Sequence, residues 1–303
     1  MCDLGVFGGG KAYESELLRK DVTNMAGNAE VSVIARWPQL FINKFYKLDI
    51  GQRIGKAKII RISDTQVAKR GPTINLAIEF EAMRYVAQNT SIPLPRAYRI
   101  VPSEEHPDYS FLVMDYVEGE VLAKAWRHMT TDERGGVTSS LATMIDELRS
   151  LPSSGMISST SGGPFYDYRF AMGLGQIGPF ENERDFNDWR ISQFHLYGSP
   201  SQLANIRGKM REDNRIVFTH GDLSQENILV RRINISEFAI VAILDWEQAG
   251  WRPEYWEAVK FVFGGTGRKG WLELGYEQSF MAGYRADITR EFQELGGLSG
   301  GLC

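Results

Sequence analysis

Short runs of alternating apolar and polar residues fill much of the first 115 positions, and three- and four-residue apolar spacing takes over afterwards. Alternation predicts strands at Phe45–Leu48, Ala57–Ile62 and Thr65–Lys69, with Ser63-Asp64 as the turn between the last two. From Ile74 to Gln88 the apolar positions Ile78, Ala82, Met83, Tyr85 and Val86 share one helical face. Ser91-Ile92-Pro93-Leu94-Pro95 stops that helix in an extended, proline-fixed segment. Strands Arg96–Val101 and Tyr109–Met114 follow, separated by a polar loop. Helical periodicity then covers residues 120–150, 183–212, 254–263 and 269–294, with a loop rich in Ser, Gly and Pro at 152–164. Two further strand-like runs, Phe218 to Val230 and Ala239 to Leu244, interrupt the helical half.

This order of elements predicts an α+β protein of two lobes. A small β-rich N-terminal lobe spans residues 1–115, with residues 1–30 as an arm, and a larger, mostly helical C-terminal lobe spans 116–303. No internal repeat or low-complexity tract alters that division.

Composition narrows the function classes. In 303 residues, an apolar fraction of 43% is enough for a substantial core. The net charge of −4, with acids and bases interspersed, argues against nucleic acid as a partner, because a phosphate backbone needs a basic face. The two cysteines, Cys2 and Cys303, form neither a disulfide framework nor a zinc-binding spacing. No secretory signal and no bilayer-length apolar run is visible, so a soluble cytoplasmic protein without a membrane partner is the expectation. Gly8-Gly9-Gly10-Lys11 lacks the upstream glycine, the following Ser/Thr and the preceding strand of a phosphate loop.

The chemistry concentrates in the two late strand runs. Asp222 and Asn227 stand five residues apart around the start of one run, and Asp245 ends the other. Paired as a hairpin, the runs bring two oxygen ligands for a hard divalent cation beside a carboxylate that faces a cleft. Phosphoryl transfer asks for this set: a base at the acceptor hydroxyl, Mg²⁺ ligands and a cation on the nucleotide phosphates. Lys69, at the end of a strand, supplies the cation, and Glu79, ten residues on in the following helix, is its expected partner, with Glu81 as the rival. His220 reads as a brace for the Asp222 loop. Trp251, Tyr255 and Trp256 read as core, and no Gly-x-Ser-x-Gly elbow points to a hydrolase.

His220-Gly221-Asp222-Leu223-Ser224-x-x-Asn227-Ile228-Leu229-Val230, with Ile243-Leu244-Asp245-Trp246-Glu247-Gln248-Ala249-Gly250, resembles the aminoglycoside phosphotransferase family in the broad sense that includes choline-kinase-like proteins. Trp251-Arg252-Pro253-Glu254-Tyr255-Trp256-Glu257 is similar to its fungal members, and Val67-Ala68-Lys69 with Glu79 extends the likeness into the N-terminal half. The resemblance implies a protein-kinase-like two-lobed fold that uses ATP and Mg²⁺ to phosphorylate a hydroxyl of a small molecule. It implies Asp222 as base, Asn227 and Asp245 as metal ligands, Lys69 on the phosphates and Glu79 holding Lys69. Asp115 and Val117 would offer backbone groups to adenine. Ser224-Gln225-Glu226 departs from the His-Pro-Arg of fungal relatives, and no glycine-rich loop precedes Lys69, where Gly51 and Gly55 are the nearby glycines. The acceptor is expected against residues 165–168 and 247–256, where an aromatic and acidic lining suits a cationic or amphipathic hydroxylated molecule. A catalytically silent kinase-fold binding protein is the alternative from another class. A protein kinase is disfavoured by Asp-Trp-Glu in place of Asp-Phe-Gly.

Overall fold

The structure, a computed structural model, describes residues 58–170, 175–263, 284, 287 and 290–295. The strand expected at Phe45–Leu48, the arm at 1–30, Gly51, Gly55 and most of the helix expected at 269–294 lie outside these residues.

Alternation builds the first layer. Strands β1 (Lys58–Arg61), β2 (Gln66–Pro72), β3 (Ala97–Pro102) and β4 (Tyr109–Asp115) form an antiparallel sheet in the order β1-β2-β4-β3. The β1–β2 turn closes through Ile62 N–H to the Gln66 carbonyl, and Ser63 Oγ accepts the Thr65 N–H. The register sets Lys69 opposite Ile59 on one side and Leu112 on the other, which buries the lysine inside the sheet. β2 runs through Gly71 and Pro72, beyond its expected end at Lys69, and α1 (Thr73–Asn89) begins at once.

Helix α1 lays Leu76, Ala82, Met83 and Val86 against the sheet, and Glu79 lies within the same buried stripe. It ends where Thr90 turns extended and its Oγ1 donates to the Val86 carbonyl. The helix also touches the second lobe. Tyr85 packs on Phe218 and Trp251 at ring-centroid separations of 5.4 and 6.0 Å, and Ser161 Oγ donates to Glu81 at 2.7 Å. One apolar core therefore runs from Val67 and Met83 through Phe218 to Trp246 and Trp251.

The segment with helical periodicity over 120–150 is three elements: β5 (Glu120–Val121), α2 (Leu122–Ala125) and α3 (Thr131–Arg149). The reason is a capping box at Thr130 and Glu133, whose side chains each accept the other's backbone N–H and start α3 afresh. The pattern at 183–212 is likewise two helices, α4 (Glu183–Ser192) and α5 (Pro200–Gly208). Gly198 interrupts it, and Ser199 with Gln202 caps α5 in the same way, with Pro200 in its first turn. Beyond them lie β6 (Ile216–Thr219), β7 (Ile228–Asn234), β8 (Glu237–Ile243), β9 (Gly250–Pro253) and α6 (Trp256–Phe263). β7 and β8 form a hairpin with β5 on its outer edge, and β6 pairs with β9. A second apolar cluster, with Phe165, Phe186, Tyr255 and Trp256 among its members, supports the helical part of this lobe. Among the described residues no helix is long and apolar enough to cross a membrane.

Candidate active site

The β7–β8 hairpin decides where the acidic groups meet. Ile228 faces Ile243, and the Asn227 carbonyl accepts the Leu244 N–H at 2.8 Å, so Asn227 and Asp245 leave the hairpin side by side. Asp222 joins them through Asn227, whose Nδ2 donates to the Asp222 carbonyl at 2.9 Å and to its Oδ2 at 3.0 Å. No hydrogen bond from a described residue reaches Asn227 Oδ1. The hairpin thus places Asp222 and Asn227 in contact and starts Asp245 one residue after the Leu244 that bonds Asn227.

The loop before Asp222 is held rigidly. His220 is fully buried, with its ring 4.5 Å from that of Trp246. Burial pushes its pKa down to about 4, against the hydrogen bond to Leu244 that works the other way. The neutral ring donates from Nε2 to the Leu244 carbonyl at 2.9 Å, and its Nδ1 accepts the Asp222 N–H at 3.1 Å. Both nitrogens are thus engaged, and His220 braces the Asp222 backbone N–H. Glu257 of α6, held above the usual carboxylate range by burial, accepts the N–H groups of His220 at 2.6 Å and of Gly221 at 3.1 Å. Gly221 needs its lack of a side chain: φ is +77°, and a Cβ would lie 2.8 Å from the Gln248 carbonyl oxygen.

Asp245 is the one described non-glycine residue with positive φ, at +65°. That conformation costs on the order of 1–3 kcal/mol and is tolerated best by Asp and Asn. Below it Trp246 is fully buried and donates to the Ile243 carbonyl at 2.9 Å, which fixes the turn. The reversal aims Asp245 at Lys69. Lys69 Nζ lies 2.7 Å from Asp245 Oδ1, 2.7 Å from Glu79 Oε2 and 3.7 Å from Glu247 Oε2. Between the two glutamates of α1 the structure selects Glu79, while Glu81 binds Ser161 instead. Glu247 is the member that sequence reasoning missed. Its position two residues after Asp245 was the available signal, because a turn through positive φ puts both carboxylates on one side.

Three carboxylates surround one ammonium, and burial pushes Glu79 and Glu247 toward their protonated forms. Burial opposes charge on Lys69, but Asp245, Glu79 and Glu247 outweigh it and hold the pKa well above its ordinary value. Burial also drives Glu79 up, to about 7, with Lys69 working against it. Glu79 Oε1 is buried with no hydrogen-bond partner. Asp245, with 34% of its side chain exposed, is the one carboxylate of the three with substantial exposure. The exposed Asp245 carboxylate and Asn227 Oδ1, which takes no hydrogen bond from a described residue, are hard oxygen donors of the kind that fits Mg²⁺.

The connector after β4 carries the remaining expectations. Asp115 N–H is taken by the Arg96 carbonyl at 3.1 Å, and its carboxylate accepts from Tyr98 Oη at 2.6 Å and Arg96 N at 3.1 Å. Tyr116 N–H is spent on the Thr65 carbonyl at 2.8 Å. Val117 is the first connector residue whose backbone carries no hydrogen bond among the described residues.

Within the stretch expected to line the acceptor, Trp251, Tyr255 and Trp256 are buried core, as read from the sequence. Phe165 and Asp167 are buried too, and Tyr168 stands exposed on their loop. Asp167 forms a buried pair with Lys260 at 2.7 Å, which sequence spacing gave no means of finding across 93 positions.

Comparison with known proteins agrees with this geometry. Residues 43–290 match the phosphotransferase enzyme family, APH. Among solved structures, the GDP and kanamycin complex of the aminoglycoside phosphotransferase APH(2'')-IIIa is similar at 15% identity, with a TM-score of 0.51 and 82% of each chain covered. ADP-bound APH(2'')-Ib is similar at 14% identity and a TM-score of 0.53, with 83% of each chain covered. APH(3'')-Id from Streptomyces rimosus is similar at 18% identity and a TM-score of 0.50, over 80% of this chain and 89% of that one. No curated protein sequence matches the chain. The likeness to these structures is one of fold, the protein-kinase-like fold of two lobes, and the match over most of the sequence makes this chain a member of the phosphotransferase enzyme family.

Proposed function

We propose that the protein transfers the γ-phosphoryl group of ATP to a hydroxyl of a small molecule, with Asp222 as the base. The observation that carries this reading is the convergence of Lys69, Glu79 and Asp245, with Asp222 joined to Asn227 at the end of the same hairpin. Lys69 would meet the α- and β-phosphates, and Glu79 would hold it in place. Val117 would offer its backbone to adenine, and Asp115 would shape the connector before it. Asn227 and Asp245 would hold Mg²⁺, which supplies charge neutralisation for the phosphates when bound.

Asp222 sits partly exposed, with its N–H fixed on His220 and Oδ2 held by Asn227. Its carboxylate would accept the proton of the acceptor hydroxyl as the new O–P bond forms and the bond to the ADP oxygen breaks. The proton thus passes to Asp222, and the bonding pair of the broken bond leaves with ADP. His220, neutral and doubly bonded, takes no part in that transfer.

The test is ATP consumption against a panel of hydroxylated amines, sugars and secondary metabolites, with GTP run in parallel. Turnover with one acceptor class is expected, and Asp222→Asn should lower it about 10²- to 10⁴-fold with ADP affinity unchanged. An Asp222→Asn variant as active as wild type would remove Asp222 from the chemistry. No turnover together with no binding of ADP would leave a kinase-fold binding protein.

A further inference from the structure

Residues 165–170 form a loop with a fixed underside and an exposed upper edge. Phe165 is buried beneath the Arg252 guanidinium at 3.5 Å from the ring centroid. Asp167 accepts from Lys260 Nζ at 2.7 Å, Trp256 Nε1 at 2.9 Å and the Arg169 N–H at 2.9 Å. Gln248 links this base to the turn that follows Asp245. Its Oε1 accepts the Tyr168 N–H at 3.0 Å and Lys260 Nζ at 2.8 Å.

On that platform the Tyr168 hydroxyl donates to Glu247 Oε1 at 2.6 Å. The other oxygen of the same carboxylate lies 3.7 Å from Lys69 Nζ, farther than the 2.7 Å contacts that Glu79 and Asp245 make. Glu247 is buried, so no solvent layer softens its pull toward the ammonium. Burial, then the charge of Glu247, raises the Tyr168 pKa, which keeps the hydroxyl protonated and donating. Tyr166 packs edge-on against Tyr168 at 5.1 Å and limits its ring to this orientation.

We infer that Tyr168 is a positioning residue: its hydroxyl holds the Glu247 carboxylate away from Lys69 and so keeps the ammonium available to nucleotide phosphates. This rests on reading Lys69 as the phosphate-binding lysine. This hydrogen bond joins the loop to the Lys69 cluster, alongside the Tyr168 N–H bond to Gln248. Without it, Glu247 closes the remaining distance and neutralises Lys69 in competition with the ligand.

ADP binding to the full-length protein by titration calorimetry, with and without Mg²⁺, tests this for wild type, Tyr168→Phe, Glu247→Gln and the double variant. Tyr168→Phe removes one oxygen from a partly exposed ring and should leave the fold intact. It is expected to weaken ADP about tenfold without metal, the scale of a hydrogen bond to a charged group. The double variant should return to the affinity of Glu247→Gln alone, because a neutral amide at that position does not compete for Lys69. A Tyr168→Phe affinity equal to wild type overturns the inference, as does a loss that persists undiminished in the double variant. Wild type that binds no ADP under either condition overturns the reading of Lys69 itself.

Discussion

Two buried lysines, Lys69 and Lys260, sit on opposite sides of the turn that follows Asp245, and their surroundings differ in kind. Lys260 donates to the Asp167 carboxylate and to the Gln248 side-chain carbonyl, and its charge also acts on buried Glu257. Asp167 has both oxygens bonded, and although burial opposes its charge, Lys260 and the N–H donors hold its pKa below the ordinary range. Lys69 meets three carboxylates, one of which leaves an oxygen buried and unbonded. In the first cluster neither oxygen of the Asp167 carboxylate is left without a partner. The second sets three carboxylates around one ammonium and is exposed at Asp245. A fully bonded buried pair holds elements together, whereas an exposed cluster is completed by what binds to it.

The largest effect should come from breaking the Asp167–Lys260 pair. Asp167→Ala leaves Lys260 without its carboxylate and should cost about 3–5 kcal/mol, read as a fall in the urea midpoint. A loss below about 1 kcal/mol would mean that the two clusters do not differ as described.

A smaller effect, in a different pH window, separates the two acids. Glu79, raised to about 7 from 4.5, keeps a proton in the folded chain where the unfolded chain has released it. Its contribution to stability is therefore present below about pH 4.5 and is lost as pH rises to about 7, on the order of 1–3 kcal/mol. Asp167, with its lowered pKa, behaves oppositely: its contribution is present above 3.8 and is lost as pH falls through the folded value. His220, lowered from 6.5 to about 4, adds stability as pH rises through that interval and so partly masks Glu79. The Glu79 slope is accordingly read as the difference between wild type and Glu79→Gln in urea titrations from about pH 4.5 to 8. Parallel curves would contradict it.

The smallest effect concerns the bystander on the same helix. Glu81 accepts from the exposed Ser161 hydroxyl and stands outside the Lys69 cluster, so Glu81→Gln should change stability by no more than about 0.5 kcal/mol. ADP affinity by calorimetry should be unchanged. A loss of affinity comparable to that of Glu79→Gln would place Glu81 within the Lys69 cluster.

Much of this contrast was legible in the sequence on one side and hidden on the other. The hairpin bearing Asn227 and Asp245 shows itself as two apolar runs with a polar turn, and its register follows from burial of one face. Glu79 carries a second signal that spacing alone does not use. It stands in the buried stripe with Leu76, Met83 and Val86, a charged residue where the helix demands an apolar one. The pair Asp167–Lys260 has no local signature, since neither flanking pattern marks a position at which a charge will be buried. The breaks at Thr130 and Ser199 were written as capping boxes, but helical periodicity on both sides obscured them. Glu247 was hidden because its contact with Lys69 depends on the backbone sign at Asp245, which residue identity permits without requiring.

That backbone sign restricts what position 245 can become. Asparagine would accept the left-handed turn and give up the charge that faces Lys69. Glutamate would keep the charge, but its longer side chain lacks the local hydrogen bonding that makes such a turn tolerable for Asp. Glycine would relieve the strain and remove the carboxylate altogether. Each neighbouring substitution satisfies one demand by violating another, so the aspartate is confined from two independent directions, by the shape of the chain and by the charge it must present.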